Sequence, residues 1–327
     1  MHYFVSGSGG FLGRYLISLL LAEEHAVTAL VPGREPARAL AEYGVRPHLG
    51  DVRDKESMRR GMRGAEGVFH TAAWDRIGSR DRATAEAVNV AGTRNVLELA
   101  RELHVPKTVV TSTVHVFGDT GGHRPDASFR FTGRHLALAD RTRAEALHRV
   151  VLPMMRSGVP TVVAQPGVLY GPGDGGDLSR LLRRYLLGRA PFVPTGTAAS
   201  WVHVEDAAAG HLLAMEEGSP GKVYLLGGED ATLAAVMRMA GRLAGKRRGP
   251  LPYPGVALRP IAAVLGGLGY VVRPLAGTAE RLRRRAGVTF LCDDRLARRE
   301  LGYEPRSLRD GLPDTVRGLL QDLFEAG

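Results

Sequence analysis

The stretch "YFVSGSGGFLGRYLISLL" (residues 3–20) decides the fold. An apolar strand ends in Ser6, and glycines follow at positions 7, 10 and 13. The apolar residues then recur at helical spacing from Phe11 onward. A glycine at position 7 permits a tight turn, and one at position 10 lets the main chain approach a pyrophosphate. One at position 13 lets helix and strand pack closely. The free N–H groups of the helix start supply positive potential for an anion. Strand, turn and helix in this order predict a dinucleotide-binding βαβ unit. An ATP-type loop is disfavoured, because no Gly-Lys-Ser/Thr follows.

Outward from this unit, short apolar runs alternate with longer stretches of helical period, as in a parallel sheet covered by helices. Strands are expected at 2–6, 26–31, 46–49, 67–71, 108–112 and 161–165, and helices at 11–24, 36–43, 55–62, 83–104 and 134–155. After Pro166 the texture changes to the glycine-rich "GVLYGPGDGGD" (167–177) and to short irregular segments. The expected fold class is α/β, a Rossmann-type doubly wound parallel sheet with a smaller C-terminal substrate-binding unit. Residues 1–165 with a returning segment, 201–227, form the nucleotide domain, and 166–200 with 228–327 form the substrate-binding region.

Composition narrows the classes. The 327 residues, 44% hydrophobic and 24% charged, suit a globular domain of this size. The one cysteine, Cys292, excludes an internal disulfide, fits a reducing cytoplasm and is expected to fill space. No secretory signal precedes the first strand, and the longest apolar stretch, residues 260–272, is too short to cross a bilayer. The formal charge of +10 raises the question of nucleic acid. The charge is spread along the chain, and no helix-turn-helix, zinc or aromatic stacking motif accompanies it. No nucleic acid, membrane or metal partner is expected.

At the end of the second strand an NAD enzyme carries an acid for the ribose hydroxyls. This chain has "VTALVPGREP" (27–36), with Arg34 placed to meet a 2′-phosphate and Arg38 a turn later. The expected cofactor is therefore NADPH/NADP+. Asp51, after the third strand, is positioned to accept the adenine amino group.

Eight motifs in order now carry a resemblance: "SGSGGFLG" (6–13), "GDVRD" (50–54), "VFHTAA" (68–73), "NVAGTRNVLELA" (89–100), "VVTSTVHVFG" (109–118), "QPGVLYGPGD" (165–174), "VHVEDAAAGHL" (202–212) and "GKVYLLGG" (221–228). With "LARRELGYEPRSLRDGL" (296–312) they span almost the whole chain. It resembles the extended short-chain dehydrogenase/reductases, in the dihydroflavonol-reductase-like branch. The resemblance implies that Gly7, Gly10, Phe11, Leu12 and Gly13 hold the pyrophosphate, and that Asp51 and Val52 border the adenine. It implies further that Ala72 and Ala73 line the cofactor path, and that Pro166, Gly167, Val168 and Leu169 meet the nicotinamide amide. Thr113 aligns with the hydroxyl residue that bonds the substrate carbonyl. His115 shares its strand face, as alternate strand residues do.

The resemblance also exposes a departure. The family's tyrosine donates a proton to the carbonyl oxygen, and a lysine four residues later holds the cofactor ribose. Counting back from Ala144-Glu145, those positions are Ala137 and Arg141 here, and none of the nine tyrosines has lysine four residues on. Arginine can bond ribose hydroxyls but does not titrate as a relay. Ala137 opens space for a flat, bulky ring. These residues point to an atypical NADPH-dependent ketoreductase of an aromatic polyketide-type ketone in secondary metabolism. Its proton would come from a substrate phenol beside the ketone, with a pKa of roughly 10, like the missing tyrosine. The alternative is a catalytically silent NADP-binding redox sensor or scaffold. The oligomeric state is left open between monomer and homodimer.

Overall fold

The computed structural model describes residues 1–78, 80–189, 192–269 and 272–325. Six strands follow the order of the apolar runs: β1 (His2–Ser6), β2 (Ala26–Val31), β3 (Arg46–Leu49), β4 (Gly67–His70), β5 (Thr108–Thr111) and β6 (Thr161–Pro166). After them come β7 (Val168–Tyr170), β8 (Phe192–Thr195), β9 (Ala198–His203), β10 (Val223–Leu226), β11 (Glu229–Thr232), β12 (Leu251–Pro254) and β13 (Thr289–Phe290). The main sheet runs β10-β6-β5-β4-β1-β2-β3, every neighbouring pair parallel. It is a doubly wound Rossmann-type sheet. β4 and β6 are buried at every position, as strands covered on both faces must be. The chain winds outward in both directions from β1, so the crevice at the carboxyl ends of β1 and β4 is the switch point where such sheets bind ligands.

Two glycines shape that crevice. Gly7 has φ +83°, and a Cβ there would lie 2.4 Å from the Ala72 nitrogen. A Cβ on Gly13 would lie 2.2 Å from the Gly7 carbonyl oxygen. Only bare main chain lets helix Phe11–Ala22 descend this far onto β1 and the loop after β4.

Beyond Pro166 the chain builds a second sheet, with β9 paired to β7, β11 and β13, and a small β8–β12 pair. The segment expected to return to the first domain divides. Its strand, ending at His203, belongs to the second sheet, because β9 hydrogen-bonds only there. β10 returns to the main sheet as the edge strand beside β6, and helix Val204–Glu216 packs against helix Phe11–Ala22. Cys292 is buried, and burial pushes its thiol up to about 12, as suits a space-filling residue. Helix Leu258–Leu268 carries most of the apolar stretch at 260–272, while Tyr270 and Val271 of that stretch lie outside the described residues. Among the described residues no helix is long and apolar enough to cross a membrane.

Two histidines are sealed in the core beside the sheet. His211 bonds the Ala207 carbonyl (2.6 Å) and Thr111 Oγ1 (2.9 Å). His70 lies between Ser6 Oγ (2.7 Å) and Thr93 Oγ1 (2.9 Å). Thr93 gives its own proton to the Asn89 carbonyl, so His70 Nε2 is the donor and Nδ1 accepts from Ser6. Burial pushes both imidazoles down to about 4. In the unfolded chain they titrate near the ordinary ~6.5, so on acidification the unfolded state takes up protons first. Stability is therefore full above pH ~6.5 and falls toward pH ~4. Urea unfolding at pH 5 is expected to show a loss of about 2 kcal/mol per histidine relative to pH 7.5. Equal stability at the two pH values would contradict this assignment.

Candidate active site

A cleft of about 800 Å³ runs from the glycine turn, across the carboxyl ends of the central strands, to the second sheet. Gly10, Phe11, Leu12 and Gly13 line one end, with Ala73, Pro166, Gly167, Val168 and Leu169 along the path, so most of the residues expected at a cofactor meet in one channel. The Ala72 main chain backs Gly7 just behind it. Arg34 opens helix Arg34–Glu42 at the end of β2, exposed to solvent. Asp51 and Val52 follow β3, outside the lining of this cleft. Val52 is buried against Gly92, and the Asp51 carboxylate is engaged by the main-chain N–H and guanidinium of Arg53, which hold its pKa down. The cradle suits a dinucleotide: two glycines where a Cβ would clash, a helix start beside them, and the buried Ser112 hydroxyl with no partner among the described residues.

Thr113 and His115 lie beyond the end of β5, where Thr113 caps a 3-10 turn over Val114–Phe117; they meet through that turn and not by sharing a strand face as the sequence pattern suggests. The Thr113 hydroxyl is 2.8 Å from His115 Nδ1 and accepts from the His115 main-chain N–H at 3.3 Å. The His115 ring leans on Phe290, with centroids 4.5 Å apart. Burial, reinforced by Arg284 and Arg143, holds the imidazole well below its ordinary range, so it is neutral at pH 7. If His115 Nδ1 carries the proton, the Thr113 hydroxyl is free to donate into the cleft.

The expected positions of the missing pair are corrected by the geometry. Helix Leu138–Ala146 starts later than its sequence pattern predicts, and Ala137 is its extended N-cap, with φ −131° and ψ 155°. Ala139 and Arg143, one turn apart, line the cleft; Ala137 and Arg141 do not. Two residues rotate a helix by about 200°, so Arg141 faces the opposite way. It meets Glu86 (3.4 Å) and Glu145 (3.6 Å) outside. Ala144-Glu145 as landmark places the pair at Ala137 and Arg141; Ala146, seven residues after Ala139, anchors the register that the fold adopts. Among the described residues no tyrosine lines the cleft in either register.

Several site residues have no loud sequence signal. A π-helical turn over Ala87–Gly92 carries Asn89, whose amide bonds both main-chain groups of Trp74 and the Thr142 hydroxyl (2.8 Å). It ties the loop after β4 to the helix of Arg143. Asp140, buried, takes two bonds from Arg284 (2.9 and 3.1 Å), joining that helix to helix Arg273–Arg284 of the second unit. Burial pushes the Asp140 carboxyl up, and Arg284 opposes it. Trp201 and Phe290 supply aromatic walls.

The corrected register has a direct consequence. Arg143→Ala is expected to weaken nicotinamide-dinucleotide binding about tenfold or more, through loss of a guanidinium donor in the cleft lining. Arg141→Ala, which breaks exposed ion pairs, should change it less than about twofold. Fluorescence titration of the two variants decides between the registers.

The model of the NAD dependent epimerase/dehydratase family matches residues 3–227. The chain is 33% identical over 326 residues to the 4-hydroxy-2-methyl-3-oxo-4-farnesyl-3,4-dihydroquinoline-1-oxide ketoreductase of Stigmatella aurantiaca, covering 97% of this chain and 96% of that protein. It is 31% identical over 325 residues to sterol demethylase protein B of Methylococcus capsulatus, covering 95% and 96%. Among solved structures it is similar to that of gox2253, with a TM-score of 0.85 at 28% identity over 98% of both chains. The NAD complex of UDP-glucose 4-epimerase from Thermus thermophilus, at 23% identity and a TM-score of 0.74 over 98% of this chain and 99% of that one, shares the fold.

Proposed function

The chain belongs to the NAD dependent epimerase/dehydratase family as an oxidoreductase of the extended short-chain type, and within it we propose an NADPH-dependent ketoreductase of a flat aromatic ketone. The observation that carries this reading is a cofactor channel without a described tyrosine, ending on Thr113 between Ala139 and the walls of Trp201 and Phe290. The proposed setting is secondary metabolism of the polyketide type, in the cytoplasm, with the protein a monomer or homodimer. A relative at 33% identity bears a name describing reduction of a ring ketone next to a carbon that carries a hydroxyl and a farnesyl group; this supports ring-ketone reduction and leaves the phenol to the test below.

A reduced nicotinamide, when bound, supplies the hydride that a ketone carbon accepts. The chain's own part is orientation and charge. Gly7, Gly10 and Gly13 hold the pyrophosphate end, and Arg143 reaches the ribose edge. Pro166–Leu169 line the nicotinamide end. Thr113 donates a hydrogen bond to the substrate carbonyl and so stabilises the developing alkoxide. Neutral His115 positions the Thr113 hydroxyl rather than delivering a proton itself. The proton that completes the alcohol comes from a substrate phenol beside the ketone, and the phenolate then recovers one from water.

The test is NADPH oxidation with an aromatic ketone bearing an adjacent free phenol, beside its O-methyl ether. Turnover of the phenol at least about a hundredfold faster is expected, the usual scale of general-acid catalysis. Equal rates would move the acid into the protein, with Thr113 and His115 next to test. Tight NADPH binding with no turnover of either would favour the silent sensor.

Coenzyme choice is tested separately. Arg34→Ala should raise the KM for NADPH about tenfold while leaving that for NADH within about twofold, since only NADPH carries the 2′-phosphate. A uniform effect on both coenzymes would remove Arg34 from the site.

A further inference from the structure

The lining of the cleft carries more positive than negative charge. Among the described residues nine charged side chains line the cleft, six of them arginine and three aspartate. Some of the positive charge is matched within the protein. Arg284 is held by Asp140, Arg180 meets Asp177 at 3.2 Å, and Arg143 meets Asp75 at 3.5 Å. Among the described residues Arg76, on the loop after β4, and Arg281 and Arg285, at the end of helix Arg273–Arg284, have no such match. Arg281 and Arg285 stand four residues apart, and both side chains line the cleft. Among the described residues neither has a carboxylate within ion-pair distance. Arg281 reaches only the Thr278 hydroxyl at 3.5 Å, and Arg285 only the Asp177 main-chain carbonyl at 3.2 Å.

The end of helix Arg273–Arg284 favours positive charge in general, because its last carbonyls point that way. That accounts for arginines there, but not for two of them turned into a cavity. Arg285 is partly buried, and burial holds its pKa down; the Asp177 carboxylate, beyond ion-pair distance, and Tyr253 oppose that shift, while Arg281 and Arg184 add to it, so the two guanidiniums repel each other with no carboxylate in direct contact. A guanidinium withdrawn from water without an anion is costly, and a ligand oxyanion removes that cost through charge-assisted, fork-shaped hydrogen bonds. The position in the cleft is informative as well. Arg284 touches the helix that carries Ala139 and Arg143, whereas Arg285 reaches across to the start of helix Asp177–Leu186 in the second unit. Arg281 and Arg285 therefore lie on the second unit's side of the cleft, in the last turn of helix Arg273–Arg284 and just beyond it.

We propose that Arg281 and Arg285 form an oxyanion subsite that selects substrates carrying a carboxylate, or a sulfonate- or phosphate-like group, on the ring system distant from the ketone. The proposal names the substrate class of the same cleft and rests on the ketoreductase reading for its biological sense. Its test uses binding rather than turnover, so the two can fail separately.

The probes are anthraquinone-2-carboxylate, anthraquinone-2-sulfonate and the neutral anthraquinone-2-carboxamide. Each is titrated into the NADP+-loaded protein at low salt, with the emission of Trp201 in the cleft wall as readout. The carboxylate is expected to bind at least about tenfold tighter than the amide, and the preference should shrink as salt is raised. R281Q and R285Q should each lose most of the preference, whereas R285K, which keeps the charge but not the fork, should retain part of it. NADP+ affinity and the melting temperature serve as the folding control for every variant. The sulfonate arm separates a site for any oxyanion, which takes both acids, from one shaped for a carboxylate.

Equal affinity for acid and amide, including no measurable binding of either, would overturn the proposal. So would a preference that survives in R281Q and R285Q, or variants that lose NADP+ along with the acid, which would assign these arginines to the cofactor. An acid preference without reduction of any ring ketone keeps the subsite and removes the ketoreductase. Reduction of the amide as efficiently as the acid keeps the ketoreductase and removes the subsite.

Discussion

The carbonyl oxygen of Gly7 occupies the space that any side chain at position 13 would need, 2.2 Å from where its first carbon would sit, and Gly7 is itself pressed against the main chain of Ala72. Three backbones thus meet with no side chains between them: the turn after β1, the helix start and the loop after β4. That contact draws the helix N-terminus down to the carboxyl edge of the sheet, where its free N–H groups face the crevice. The crevice exists because β1 has β4 on one side and β2 on the other, so the chain departs in both directions. The cofactor end of the cleft is therefore main-chain architecture, and little of it depends on which side chains surround it.

The substrate end is built differently, from side chains that belong to separate parts of the chain. Asn89 fastens the loop at Trp74 to the helix of Arg143, and buried Asp140 fastens that helix to Arg284. A second joint lies at Gly78 and Gly277, where a Cβ on Gly78 would fall 2.1 Å from the Gly277 Cα, with the Gly78 N–H bonded to Glu280 at 2.9 Å. The arginine-bearing helix is thus anchored in its middle and at its C-terminal end against the nucleotide-binding half. Such anchoring keeps the cleft walls at a set distance, which a reaction relying on orientation more than on a protein acid requires.

Legibility in the sequence divided along the same line. The glycine turn, six strands and the order of motifs stood in plain view, because local patterns of period two and 3.6 and the turn residues report directly on backbone geometry. The helix of the missing catalytic pair was legible as a helix, but its working face was not. A count from Ala144-Glu145 places Ala137 and Arg141 in the cleft, while the fold begins the helix at Leu138 and turns Ala139 and Arg143 inward. A shift of two residues is invisible to composition yet reverses the face. The strand ending at His203 shows the same limit, since its apolar pattern suits either sheet and only pairing with β7, β11 and β13 assigns it.

By itself the sequence determined the class of fold, the place of the phosphate cradle and the lack of a Tyr-x-x-x-Lys acid pair, because each is a statement about residue type at short spacing. Only the tertiary structure decided which arginines look into the cleft. Arg141 and Arg143 carry the same charge two residues apart, and Arg284, matched by Asp140, is followed directly by Arg285, matched by no carboxylate within ion-pair distance among the described residues. Their difference lies in direction and partners, which arise from segments far apart in the chain meeting across the cleft.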